Sequence, residues 1–139
     1  MSLRALPLII ISVILYNVIV MLGGTADANQ VLGTQILPKI KMLSGGEFVF
    51  TWGDFLIILT LVLLFVELMK ATYTSTASLL DHGLSMLVFV ACLIEFLLVR
   101  QAATSVFFII TVAVLIDVMA GYTIGIRVAR RDLNIGAEQ

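Results

Sequence analysis

Cysteine occurs once in this 139-residue chain, as Cys92, and histidine once, as His82. A lone thiol inside an apolar run excludes a disulfide framework and a zinc knuckle, and a lone imidazole excludes a multi-histidine metal site. Metal ligation by His82 with Asp81 and Asp117 would have one nitrogen donor and no sulfur, where such sites use more of both. Charge is scarce too: Asp, Glu, Lys and Arg make up 12% of the residues, 8 bases against 9 acids, for a net charge of −1. No basic run exceeds Arg130-Arg131, so the electrostatic footprint of nucleic-acid binding is missing. No serine stands in a Gly-x-Ser-x-Gly elbow. Asp81-His82 reads as the opening of a helix in preference to a catalytic dyad. Neither an enzyme nor a cofactor is expected.

Apolar residues fill the space, at 61% of the chain against about 45–50% in soluble domains. A bilayer core about 30 Å thick needs about 20 apolar residues at about 1.5 Å each. Four windows meet that need: residues 5–22, 52–69, 83–99 and 103–124. The expectation is an all-α membrane protein, one integral membrane domain over 1–139 folded as a four-transmembrane-helix antiparallel bundle. The first window has features of a secretory signal, with Arg4 ahead of it and Ala26-Asp27-Ala28 after it. Its apolar core, 6–22, is longer than the about 7–15 residues of a signal, so it is expected to remain as a span. The short last link forces neighbouring helices to run antiparallel, and Thr104-Ser105 can cap the helix that follows it. The tail 125–139 is expected to continue the last helix for a turn or two and then fray.

Orientation follows from Lys and Arg beside the spans, which favour the cytoplasmic side. With the first end inside, Arg4, Lys70, Arg127, Arg130 and Arg131 lie inside and Lys39, Lys41 and Arg100 outside, five against three. Both termini are therefore expected in the cytoplasm, and the chain in the cell inner (plasma) membrane.

The outer loop 23–51 is the only soluble-like stretch. Gly45-Gly46 separates two segments rich in β-formers, 39–44 and 47–52. A two-residue turn of that kind requires positive φ at both central positions, which predicts an extracytoplasmic β-hairpin. In that register Lys39, Lys41 and Leu43 share a face with Phe48, Phe50 and Trp52. The alternative is an irregular loop on the interface, anchored by Trp52 with the lysines snorkelling. As a hairpin, its unpaired edges make Lys39, Lys41, Gly45, Gly46, Phe48, Phe50 and Trp52 a candidate assembly loop between copies.

Ionisable groups inside hydrocarbon cost about 2.5–3.5 kcal/mol each on insertion scales, so each needs a reason. Depth along the spans sorts them into two layers. The outer layer gathers Asn17, Asp54, Glu95 and Arg100; the inner gathers Glu67, Lys70, Asp81, His82 and Asp117. One reading pairs them structurally, Arg100 with Asp54 or Glu95, Lys70 with Glu67, and His82 with Asp117. The other makes the acids a proton path. On the last span Ala113, Asp117, Gly121 and Gly125 recur every fourth residue and so share a face. Gly121 and Gly125 form a GxxxG match, which makes Ala113, Gly121 and Gly125 candidate helix-packing residues, within the bundle or between subunits.

Trp52-Gly53-Asp54, with the segments 55–72 and 105–132, resembles an uncharacterised family of small four-span inner-membrane proteins of Gram-negative bacteria. The likeness covers most of the chain from Trp52 onward and implies no activity. In outline the chain is also similar to small multidrug-resistance transporters, which have four short helices and dimerise. Those carry a glutamate in the first helix, where this chain has Asn17. Two functions fit the whole. The leading one is a non-enzymatic multi-pass membrane component, homo-oligomeric or an accessory structural subunit of a larger complex, with lipid and other membrane chains as partners. The alternative is a proton-coupled small transporter or channel with Glu67, Glu95 and Asp117 as coupling carboxylates.

Overall fold

The computed structural model describes residues 6–73 and 76–137, with the backbone alone over 76–79. Arg4, the first residue of the 5–22 window and the last two residues of the tail lie outside the described residues. Five helices and one small hairpin follow in order: α1 Ile10–Leu22, α2 Ala28–Leu32, β1 Ile40–Lys41, β2 Glu47–Phe48, α3 Trp52–Lys70, α4 Thr76–Leu98 and α5 Ser105–Ala137, with a 3₁₀ turn at Arg100–Ala102 before α5. Among the described residues three helical stretches are long and apolar enough to cross a membrane: Trp52–Lys70, Leu80–Leu98 and Ser105–Ala137. Each buries less than half of its apolar window inside the chain. Large side chains such as Leu61, Phe65, Leu87, Leu97 and Met119 are more than half exposed, a surface that suits lipid and not water.

α1 has only 13 residues, about 20 Å. The expected start at residue 5 moves to Ile10 because Pro7, which has no N–H, opens a tighter turn, in which Ile10 N–H donates to Pro7 O and Ile11 N–H to Leu8 O. α3 begins where the sequence places it, and its start is built locally. Thr51 Oγ1 accepts from Asp54 N–H at 3.3 Å, and Asp54 Oδ2 accepts from Thr51 N–H at 3.0 Å, a capping box. α4 starts seven residues before the expected 83. Asp81 and His82 therefore stand in its second turn and do not open it, since nothing from Thr76 to Gly83 breaks a helix. The tail also departs from expectation: α5 runs unbroken for 33 residues to Ala137, its last turns being rich in the good helix formers Arg, Ala and Leu.

Three contacts fix the directions of the helices. Leu8, just before α1, reaches Glu67 near the end of α3, whereas Tyr16 reaches Thr104 at the start of α5. Gly53, at the start of α3, faces Val106 on α5. Thus α1 runs against α3 and α5, and α4, whose second turn meets Lys70 at the end of α3 through Asp81, runs with α1, as short links require. The bundle has a Lys70 end and a Trp52 end. Between them the core is apolar, built on Leu56, Leu64, Cys92, Phe107, Ile110 and Val114, with the Tyr16 ring edge-on to Phe107 at 4.8 Å.

The hairpin forms in a different register from the expected one. Ile40 pairs with Phe48 and Lys41 with Glu47. Met42 N–H donates to Gly46 O at 2.8 Å and Gly45 N–H to Met42 O at 2.9 Å. The turn therefore runs from Met42 to Gly45, and Gly45 alone of the pair takes positive φ, +87°, a bulged three-residue connection. The physical reason is sorting. An odd shift of register exchanges the faces of one strand, and the observed one puts Ile40, Met42, Phe48 and Phe50 on one side and Lys39, Lys41 and Glu47 on the other. Phe48 and Phe50 stack at 6.3 Å, and Lys39 Nζ meets Glu47 Oε2 at 3.1 Å. Towards the root, Ile36 N–H donates to Phe50 O and Trp52 N–H to Thr34 O, so the paired legs run directly into α3.

Candidate functional site

At the Lys70 end the described residues include Glu67, Asp81, His82, Ser85 and Asp117, all almost wholly buried. α3 contributes Glu67 and, three residues on, Lys70, on the same helical face. Lys70 Nζ lies 3.2 Å from each Glu67 carboxylate oxygen, 3.3 Å from Asp81 Oδ1 on α4 and 2.9 Å from Leu6 O. One ammonium thus ties the segment before α1 to both α3 and α4, using the donors that an ammonium has to offer. Glu67 Oε1 also accepts the Leu8 N–H, one of the free donors at a helix start.

α5 completes the cluster. Asp117 has Ser85, Asp81, His82 and Lys70 around it. Among the described residues, Asp117 Oδ2 and, on α1, Ser12 Oγ have no hydrogen-bond partner, although both are buried. One turn further along α5, Gly121 makes room for the His82 ring: a Cβ built there would lie 2.6 Å from both Cε1 and Nδ1. At Gly125 the ring stands 3.8 Å away. Ala113, Asp117 and Gly121 are all buried, so this face of α5 is taken up inside the chain, with Gly121 as the seat of His82. On α4, Gly83, Leu87 and Ala91, likewise spaced every fourth residue, face outward, with open space at Gly83 and Leu87 65% exposed.

The other polar layer does not assemble. Asn17 Nδ2 donates to Val13 O on its own helix at 3.0 Å, and Asp54 is occupied by the capping box. Arg100 is exposed in the 3₁₀ turn, and among the described residues no ion pair joins it to Asp54 or Glu95. Burial at this end is served instead by Tyr16. Its hydroxyl donates to Gln101 O at 2.7 Å and lies 2.7 Å from Thr104 Oγ1, which also accepts Phe107 N–H at 3.2 Å. With the tyrosine proton spent on Gln101, Thr104 must donate to Tyr16, so the helix cap and the α1 anchor are one network. Composition gave no sign of it, because tyrosine and threonine are ordinary inside apolar helices. Nor did it point to Ser12, Ser85 or the two backbone groups at Lys70.

The hairpin residues of the candidate assembly loop are all solvent-facing except Phe50 and Trp52, which are half-buried, Trp52 lying edge-on to Phe55 at 5.9 Å. Each strand is two residues long, and an edge of about 7 Å offers a neighbouring copy far less than the six-residue arms expected. An apolar groove of about 430 Å³ opens beside its root, lined by Ile19, Leu22, Val31 and Trp52 among others. Among the described residues no three His, Cys, Asp or Glu side chains converge as a metal site. The buried cluster ties the segment before α1, α3 and α4 together through Lys70 and Glu67. No family model, curated protein or solved structure matches the chain.

Proposed function

We propose that this chain is a non-enzymatic, four-span membrane component, homo-oligomeric or an accessory subunit of a larger complex, with both termini in the cytoplasm of a bacterial inner membrane. In this reading α1 with the turn before it supplies the fourth span, and the likeness to small four-span inner-membrane proteins describes its kind. The observation that carries it is α5. Its 33 residues extend about 50 Å, some 20 Å beyond a hydrocarbon core of about 30 Å. From Ala129 onward every described residue is exposed. Ile126 and Leu133, seven residues apart and so on one face, are 53% and 73% exposed, with Arg127, Arg130 and Arg131 beside them. A short helix in water is marginal without something packed on its apolar stripe, and this one suits another protein chain. The test is native mass spectrometry of the full chain extracted in mild detergent. A mass above the monomer, lost in Ile126→Asp/Leu133→Asp, is the expected result; monomer in both would remove the proposal.

A second reading, a proton-coupled transporter or channel, draws support from one observation: three carboxylates, Glu67, Asp81 and Asp117, share a buried cluster with Lys70 and His82. Acid-driven proton uptake into liposomes, abolished by Asp117→Asn, would select it.

A further inference from the structure

The hairpin leaves an apolar face that none of the described residues covers fully. Ile40, Met42 and Phe48 are about half exposed, at 48%, 50% and 47%, and Leu43 at the turn is fully exposed. The opposite face carries Lys39, Lys41 and Glu47. Among the described residues Lys39 pairs with Glu47 and Lys41 makes no ion pair, so the hairpin has one cationic group to spare. Its root is hydrogen-bonded to Trp52, the first residue of a 19-residue helix whose length of about 28 Å matches the hydrocarbon core. The root therefore sits at the boundary of the bilayer, beside the interfacial pair Trp52 and Phe55. From Thr51 at the root out to Glu47 the second leg is five residues long and reaches about 17 Å, so the apolar phase is within its range. A two-stranded hairpin is marginal in water by itself, and the short strand edges make a second copy a poor cover for this face.

We propose that the hairpin docks on the phospholipid surface at the Trp52 end, with Ile40, Met42, Leu43 and Phe48 set into the headgroup–acyl boundary and the lysines directed towards anionic headgroups. Lysine stems bend towards headgroups in this way while the apolar side is buried. The docked hairpin is a lipid-contacting surface separate from the spans and from the Lys70 cluster.

The test uses the full chain with a single added cysteine at Met42, Leu43, Lys41 or Glu47, each exposed and labelled under native conditions with an environment-sensitive fluorophore. The parent chain, whose Cys92 is wholly buried, is the blank. The samples are reconstituted into phosphatidylglycerol-containing vesicles at no more than one chain per vesicle. The expected result is a blue-shifted emission at positions 42 and 43, loss of iodide quenching there, and quenching by nitroxides on lipid acyl chains, with the reverse order at 41 and 47. Phe48→Asp should restore iodide quenching to the label at 42. Equal iodide access at all four positions would overturn the proposal. So would shielding that appears only when several chains share a vesicle, which would assign the face to a second copy.

Discussion

Replacing Lys70 by methionine keeps most of the side-chain volume and removes the ammonium that Glu67, Asp81 and Leu6 O share. The two carboxylates are 1% and 2% exposed, and neither gains a new cation. Removing one partner from a buried ion pair costs about 3–5 kcal/mol, because the remaining charge is left uncompensated. The Lys70 side chain keeps 22% of its exposure, so water already screens part of the interaction and the lower end, about 3 kcal/mol, is the better expectation. At about 2–4 °C per kcal/mol for a chain near this size, Lys70→Met should lower the melting temperature in detergent by about 6–12 °C. The buried Cys92 thiol provides the readout, since it reacts with a fluorogenic maleimide only on unfolding. The triple variant Lys70→Met/Glu67→Gln/Asp81→Asn removes both orphaned charges and should recover much of the loss. An unchanged melting temperature in the single variant, or no recovery in the triple, would refute the view that this ammonium holds the Lys70 end together.

Three further outcomes follow from the same contacts. Tyr16→Phe should cost about 1–3 kcal/mol by leaving the Gln101 carbonyl unpartnered, and its effect should fall short of additive with Thr104→Ala, measured by the same thiol assay in a double-mutant cycle. Gly121→Ala should destabilise by about 1–3 kcal/mol because its Cβ would collide with the His82 ring, whereas Gly125→Ala, with the ring at 3.8 Å, should be close to neutral; equal effects would contradict the seating of His82. Gly45→Ala should cost about 1–3 kcal/mol of hairpin stability at its positive φ and raise the hydrogen-exchange rate of the Met42 amide. Gly46→Ala should leave that rate nearly unchanged, since its Cβ meets only Ser44 Oγ at 3.6 Å.

What the sequence determined by itself is whatever rests on composition or on neighbours within one helical turn. A chain that is 61% apolar must find a solvent other than water for most of its surface, and continuous apolar windows of span length place helices there. The start of α3 was legible because an apolar window of span length opens at Trp52, whereas the capping box between Thr51 and Asp54 that caps it was not, depth alone having assigned Asp54 to the outer polar layer. That a turn lies near Gly45-Gly46 was legible from the local sequence as well. The register was not, because either turn closes the hairpin and the choice falls to how four apolar side chains gather on one face. Depth along the spans brought Glu67, Lys70, Asp81, His82 and Asp117 to one level, since rise per residue is a local property. The same reasoning placed Asn17, Asp54, Glu95 and Arg100 at one level, yet those do not meet. Depth says nothing about which way a side chain points around its helix or whether a nearer partner takes it first, as Val13 O takes Asn17 and Thr51 takes Asp54. The deciding contacts join Leu8 to Glu67, 59 residues apart, and Tyr16 to Gln101, 85 apart. Such pairs exist only once four helices have chosen their rotations against one another, and packing the whole core makes that choice, which no local pattern encodes.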